Sequence, residues 1–132
     1  MILGGVGRRT IGSGSDWELR GGYSRAVVVG DRVFVSGTAP IMPADADPPT
    51  DAYGQMRRCL EIVEVVLQQA GAGLEHVVRT RFFVTDPSLA PDVLRAHGEA
   101  FAAVRPACTG LVTGLLDPRW LVELEVEAVL GG

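Results

Sequence analysis

The feature that most constrains the fold is a regular alternation near the carboxyl end of the chain. Over residues 122–128, apolar and acidic side chains take turns: Val122, Leu124, Val126 and Ala128 alternate with Glu123, Glu125 and Glu127. Successive side chains of a β-strand point to opposite faces of the sheet. The pattern therefore predicts a strand with three carboxylates on one face and an apolar face that other parts of the chain must cover.

Two segments have the apolar periodicity of helices that can cover such a face. The first is predicted to start at Thr50 or Asp51, either of which can cap a helix, and to end near Ala70. The second starts at Pro91 and stops before Pro106. Their apolar stripes recur every three or four residues: Met56, Cys59, Leu60, Val63, Val66 and Leu67 in the first, and Val93, Ala96, His97, Ala100, Phe101 and Val104 in the second.

The remaining strands are predicted from β-branched and alternating segments. Residues 26–29 and 32–37 form a hairpin around Gly30-Asp31, two residues suited to a tight turn. Further strands are predicted at 77–85 and 108–112, with a short edge strand at 9–11. In the strand at 77–85 the predicted buried face carries Val78, Thr80, Phe82 and Val84, and the other face carries Arg79 and Arg81.

The order of these elements predicts the fold class. A strand, a hairpin, a helix, a strand, a helix and two strands indicate an α+β fold, a two-layer sandwich in which a mixed sheet carries two helices on one face. We expect residues 1–132 to form a single domain. The carboxylate face has no helix of its own to cover it, so we also expect the chain to self-associate.

Composition excludes several classes of protein. With 132 residues, 47% of them apolar, one core can form without disulfides or a metal. Cys59 and Cys108, and likewise His76 and His97, are too far apart in sequence to suggest a metal site, and no cofactor is expected. The net charge of −4 disfavours nucleic acid as a partner. No apolar run spans a bilayer and no signal peptide is evident, so a cytoplasmic protein is expected.

Four stretches, in order and with fitting spacing, resemble the Rid family (reactive intermediate deaminase, or YjgF-like). They are residues 22–27 (Gly-Tyr-Ser-Arg-Ala-Val), 33–40 (Val-Phe-Val-Ser-Gly-Thr-Ala-Pro), 105–109 (Arg-Pro-Ala-Cys-Thr) and 122–128 (Val-Glu-Leu-Glu-Val-Glu-Ala). The resemblance implies a chorismate-mutase-like fold. It also implies a homotrimer that binds a small-molecule ligand in clefts between adjacent subunits.

The resemblance also implies a chemistry. Well-studied members of the family hydrolyse reactive enamines and imines, releasing a keto acid and ammonia. Glu125 matches the family's water-positioning glutamate through its Val-Glu-x-Glu context, which makes it the candidate catalytic residue. The matching stretches place Tyr23, Ser36, Gly37 and Thr109 among the candidate substrate-binding residues.

One position departs from the family. Cys108 stands where the family has an arginine after Pro-Ala, and that arginine binds the substrate carboxylate through its planar fork. We therefore expect Cys108 to line the cleft without capturing a carboxylate, and Arg95 is a candidate replacement anchor. Two functions stay open, a divergent enamine or imine hydrolase and a trimeric small-molecule binding protein. A third, endoribonuclease activity, is disfavoured by the acidic charge and the lack of a histidine pair.

Each candidate also has a simpler structural interpretation. Glu125 can be a solvated carboxylate that pairs across the sheet with Arg79 or Arg81. Arg95 can be a solvated helix residue. Cys108 can be a packing residue or a reactive thiol. For the remaining two we expect only structural roles, His97 as a hydrogen-bonded residue and Cys59 as part of the core. Glu123 and Glu127 are expected to be solvated.

Overall fold

A computed structural model describes residues 7–131, which fold around one six-stranded mixed sheet. The strands are β1 (Arg8–Ile11), β2 (Ala26–Val29), β3 (Arg32–Thr38), β4 (Val77–Val84), β5 (Ala107–Val112) and β6 (Val122–Val129). The helices are α1 (Asp16–Gly21), α2 (Ala52–Gln69) and α3 (Ala90–Phe101). In space the strands follow the order β1-β2-β3-β6-β4-β5, and only the β4–β5 pair is parallel.

The core lies between one face of the sheet and the two longer helices. The four alternating apolar residues of β6 (Val122, Leu124, Val126 and Ala128) are at most 2% exposed, as their alternation predicts. α2 packs over β3 and β6, and α3 packs against α2. The largest side chains that this layer buries include Met56, Leu67, Phe101 and Leu124. The predicted α+β two-layer fold, with both helices on one face of a mixed sheet, is confirmed.

The turns follow the predicted chemistry. Gly30 has a positive φ of 58° between β2 and β3, which a residue without a side chain adopts at little cost. Asp51 occupies the position just before α2 in an extended conformation, although its side chain makes no capping hydrogen bond. α3 has its proline in the first turn and ends at Phe101, four residues before Arg105.

The short helix α1 is absent from the sequence-based prediction, which assigns no helix or strand between the edge strand at 9–11 and β2. Its end signals are nevertheless present. Ser15 accepts a hydrogen bond from the Trp17 amide at the amino end, and Gly22 takes a left-handed conformation with φ 71° at the carboxyl end. Six residues are too few for an apolar stripe to repeat, so periodicity could not reveal this helix.

The predicted buried face of β4 is wrong at one residue. Val78 is 45% exposed, whereas Thr80, Phe82 and Val84 are buried as expected. The register between β4 and β6 shifts between Val77 and Arg79, so one extra residue enters the strand there. Such a bulge turns the extra side chain out of the regular alternation.

Strand β5 differs from every other strand because all six of its residues are exposed. It lies at the edge of the sheet beside β4, and neither long helix covers it. Leu111 is 43% exposed and Val112 is 54% exposed. A long uncovered edge strand with apolar side chains is the kind of surface that proteins normally protect by pairing or covering it.

Candidate functional site

The face of the sheet opposite the helices carries a row of charged pairs. β4 and β6 are in register such that Arg81 lies opposite Glu125, and Arg79 lies opposite Glu127. The Arg81 Nη1 atom is 2.7 Å from Glu125 Oε1 and 3.7 Å from Glu127 Oε1. Of the two arginines that the sequence suggests as cross-strand partners of Glu125, Arg81 forms the ion pair.

The ion pair lies in a shallow depression of about 190 Å³ on this face. Its lining is Phe34, Val35, Arg79, Arg81, Glu125, Val126 and Glu127. The Glu125 side chain is 34% exposed, so solvent reaches it. Among residues 7–131, only Arg81 donates a hydrogen bond to Glu125, and it does so to Oε1. The carboxylate is thus oriented by one oxygen and keeps the other available as an acceptor.

At one end of this face, β3 departs from regular pairing between Val35 and Thr38. The Ser36 hydroxyl donates to the carbonyl of Ser24 at 2.7 Å, and the Ser36 amide donates to the carbonyl of Arg25 at 3.0 Å. The Arg25 guanidinium in turn donates to the carbonyl of Gly37. These bonds join the predicted site residues Ser36 and Gly37 to the segment that precedes β2.

Tyr23 belongs to the same segment and is 48% exposed. Its ring lies so close to Gly21 that a Cβ atom there would be 2.9 Å from two ring carbons. The Tyr23 amide is held by the carbonyl of Glu18 at the end of α1. Helix α1 therefore positions the half-exposed side chain of Tyr23.

Glu123 is half-buried, where the sequence predicts a solvated carboxylate. Its Oε2 atom would be 2.9 Å from a Cβ atom placed on Gly37, so the carboxylate rests directly on this residue. Burial raises the pKa of Glu123, the charge of Arg25 opposes that shift, and the charge of Glu125 adds to it. A glycine inside a strand pattern signals a bulge or a close approach, and that was the available clue to this contact.

Cys108 and Thr109 lie on different faces of the sheet. Cys108 is in register with Thr80, whose hydroxyl is 2.8 Å from Nε2 of His97 on α3, so Cys108 faces the helix side. Thr109 is in register with Arg81 and shares the face of Glu125. Since strands on one sheet keep their faces, Cys108 and Glu125 of one chain cannot line the same pocket.

Arg95 lies apart from both groups. Its guanidinium carbon is 3.8 Å from the centre of the Tyr53 ring, and its Nη2 is 3.8 Å from Asp92. The side chain is 54% exposed on the outer surface of the helix layer. Its role as an anchor stays a prediction, and within one chain the structure does not bring it near Glu125.

His97 and Cys59 have the structural roles that the sequence predicts. His97 is buried and bonded to Thr80, and burial lowers the pKa of its imidazole, which favours the neutral form. Cys59 is fully buried in the core, and burial raises the pKa of its thiol, so it is held as an unreactive thiol. Within residues 7–131 there is no group of three or more potential metal ligands, nor a helix long and apolar enough to cross a membrane.

Comparison with known proteins places this arrangement in a family. The family model described as endoribonuclease L-PSP matches residues 15–130. An uncharacterized protein of Streptomyces coelicolor is 40% identical over 124 residues, covering 93% of this chain and 92% of the relative. A RutC family protein of Sinorhizobium fredii is 35% identical over 111 residues, covering 83% and 86%.

A solved structure from Mycobacterium tuberculosis, described as a member of the YjgF/YER057c/UK114 family, agrees with a TM-score of 0.85 and 41% identity. The alignment covers 94% of this chain and all of that one. The fold is thus the chorismate-mutase-like sandwich of that group. The chain belongs to the Rid, or YjgF-like, family.

Proposed function

We propose that this protein hydrolyses a small imine or enamine in a cleft between copies of itself. The observation that carries the proposal is the Glu125 carboxylate on the uncovered face of the sheet. Arg81 holds one of its oxygens at 2.7 Å, and the second oxygen has no hydrogen-bond donor among residues 7–131. A carboxylate oriented in this way can position a water and accept its proton.

Hydrolysis of an imine requires few other groups in the site. An imine carbon is electrophilic, so the protein must hold the substrate beside the water and manage protons. When the water oxygen bonds to the imine carbon, one water proton passes to Glu125. The C=N electron pair moves to nitrogen, which takes up a proton to give the carbinolamine. In the collapse of the carbinolamine, Glu125 returns its proton to the nitrogen and the hydroxyl group gives up a proton. The C–N bond then breaks with its electron pair on nitrogen, which releases the carbonyl product and the amine.

The cleft needs a second copy of the chain because of the placement of the site residues. Glu125, Thr109 and Arg81 share the uncovered face, whereas Cys108 lies two strands away on the opposite face. Strand β5 is bare on both faces. A neighbouring copy whose β5 packs near the uncovered face would complete a pocket that contains both Cys108 and Glu125. We propose the closed homotrimer that the family resemblance implies as this assembly.

Cys108 restricts the class of substrate that the site can prefer. A thiol offers no planar fork for a carboxylate, so we propose that the preferred substrate does not depend on carboxylate capture at this position. The same observation favours a second candidate function, a trimeric protein that binds a small molecule and has lost hydrolysis.

One experiment separates the two functions. An amino-acid oxidase generates 2-iminopropionate in situ, an amine oxidase generates an imine that lacks a carboxylate, and the decay of each is followed with and without protein. We expect the wild type to accelerate decay of the carboxylate-free imine. Glu125→Gln should lower kcat by about 100-fold, since acid–base catalysis contributes on the order of 10²–10⁴-fold.

Glu64→Gln, on the exposed surface of α2, is the matched control and should keep wild-type rates. Acceleration by Glu125→Gln equal to that of the wild type would contradict the role of Glu125. Saturable binding of the same compounds without any acceleration by the wild type would favour the binding protein.

A further inference from the structure

Glu123 and Glu125 are neighbours on the same face of β6 but have different surroundings. Two residues apart on a strand, their Cα atoms are separated by roughly 6.8 Å. Glu125 is paired with Arg81 at 2.7 Å. Glu123 has Phe83 opposite it on β4, and within residues 7–131 no cation lies within 4.0 Å of its carboxylate.

Gly37 has no side chain, and this leaves room for the Glu123 carboxylate. The carboxylate lies against the Cα atom of Gly37, where any larger residue would put a side-chain atom 2.9 Å from Oε2. The Gly37 carbonyl is held by Arg25, so the backbone at this point is fixed. The Nε atom of Arg25 is buried and has no hydrogen-bond partner among the described residues. Arg25 therefore acts on Glu123 through its charge, without a direct ion pair.

We propose that Glu123 is a second catalytic residue, which gives a proton to the imine nitrogen while Glu125 takes a proton from water. The inference rests on the proposed hydrolysis and deepens it. Two carboxyl groups in one site take opposite roles when their environments differ, because an ion-paired group stays charged and a desolvated group without a partner retains its proton longer.

The charged and titratable groups around Glu123 are few. Arg25 faces it from the segment before β2 and lowers its pKa, whereas Glu125 on the same strand raises it. From the helix layer the Cys59 thiol feels the charge of Glu123, and that thiol is itself held protonated by burial. Burial is the largest influence on Glu123, and the resulting pKa lies above the ordinary value of a glutamate.

The proton balance closes over one turnover. In the addition step the water oxygen bonds to carbon, Glu125 receives a water proton, and the C=N electron pair takes the proton of Glu123. In the collapse step the protonated Glu125 gives its proton to the nitrogen, and Glu123 removes the proton of the carbinolamine hydroxyl. The C–N bond then breaks with its electron pair on nitrogen, and both carboxyl groups return to their starting forms.

The test compares Glu123→Gln with Glu64→Gln on the imine that the wild type hydrolyses. We expect Glu123→Gln to lower kcat by about tenfold or more, with KM little changed, because glutamine keeps the shape but carries no transferable proton. The wild-type rate should fall as pH rises through the pKa of Glu123, and this fall should be missing in Glu123→Gln. A Glu123→Gln variant with wild-type kcat and pH profile would overturn the proposal.

A second measurement does not depend on activity. Carboxyl ¹³C NMR titration of the folded protein, with Glu123→Gln to assign the signal, should give Glu123 a pKa above that of an exposed glutamate. A pKa at or below the ordinary value would overturn the inference while leaving hydrolysis by Glu125 intact. A wild type that accelerates no imine would overturn the proposed function, and the role of Glu123 with it.

Discussion

Strands β6 and β5 are both rich in β-forming residues, but they differ in burial. The chain covers one face of β6, whereas it covers neither face of β5. β6 lies at the centre of the sheet, with an apolar face buried under α2 and a charged face whose central carboxylate is paired with Arg81. β5 lies at the edge, with every residue exposed. The core is thus complete within one chain, whereas β5 leaves apolar side chains exposed. We propose that contacts between copies of the chain cover them.

The largest effect should come from the centre of the sheet. Leu124 on β6 is fully buried, so Leu124→Ala should lower the free energy of unfolding by about 2–5 kcal/mol through lost burial and a cavity. Leu111→Ala on β5 is the matched change, and at high dilution it should cost less than about 1 kcal/mol. Urea unfolding measures both. Equal losses at every protein concentration would mean that β5 belongs to the core of the chain.

Assembly should depend on β5. Leu111→Asp should weaken self-association by roughly 100-fold or more, because an unpaired charge in an interface costs several kcal/mol. Val65→Asp, at an exposed apolar position on α2, should leave it unchanged. Light scattering over a concentration series reports the mass. A wild type that remains a monomer at micromolar concentration, or a Leu111→Asp variant that still forms the wild-type oligomer, would contradict the role of β5.

The next largest effect should be on activity toward an imine that carries a carboxylate. Cys108→Arg should raise kcat/KM for 2-iminopropionate by about one to two decades, since a charged hydrogen bond to a carboxylate contributes ~1.5–3 kcal/mol. Adding Glu125→Ala should remove the gain. Initial rates with the oxidase-generated imine measure both variants. Wild-type rates that already match those of an arginine-bearing relative would shift attention to Arg95 as the carboxylate anchor.

The smallest expected effect is that of reductant. Cys108 is exposed and Cys59 is buried, so neither forms a disulfide within the chain. Adding reductant should leave the melting temperature unchanged. Ellman's reagent should modify one thiol per native chain and two in denaturant, with Cys108→Ser reducing the native count to zero. Rapid modification of both thiols in the native protein would show that the helix layer opens more easily than its packing indicates.

Several parts of the site could be predicted from the sequence because they depend on local pattern. The alternation around Glu125 predicts that this carboxylate lies on the face opposite the core, with an arginine of β4 across from it, and Arg81 is that residue. The stripe of α3 predicted that His97 would be buried, and it is bonded to Thr80. These features follow from the period of a strand or a helix, which can be read along the chain.

Other parts depend on how strands pair, which local pattern does not encode. The bulge at Val78 changes which residues of β4 face the helices, and the irregular pairing of Ser36 and Gly37 brings Gly37 under Glu123. The alternation alone predicts the same solvated environment for Glu123 and Glu127. Only the half-buried contact with Gly37 distinguishes Glu123 from the other carboxylates of the strand.

Residue identity and local periodicity are enough to predict the two-layer fold, the face on which Glu125 lies and the absence of an arginine fork at position 108. Each of these depends on residue identity or on a period of two or 3.6 residues, which any stretch of chain carries with it. Three features emerge only in the folded chain: Cys108 and Glu125 lie on opposite faces, Arg95 stacks on Tyr53, and β5 is left uncovered. These depend on the register between distant strands and on where the helices lie, because both are set by packing over the whole sheet.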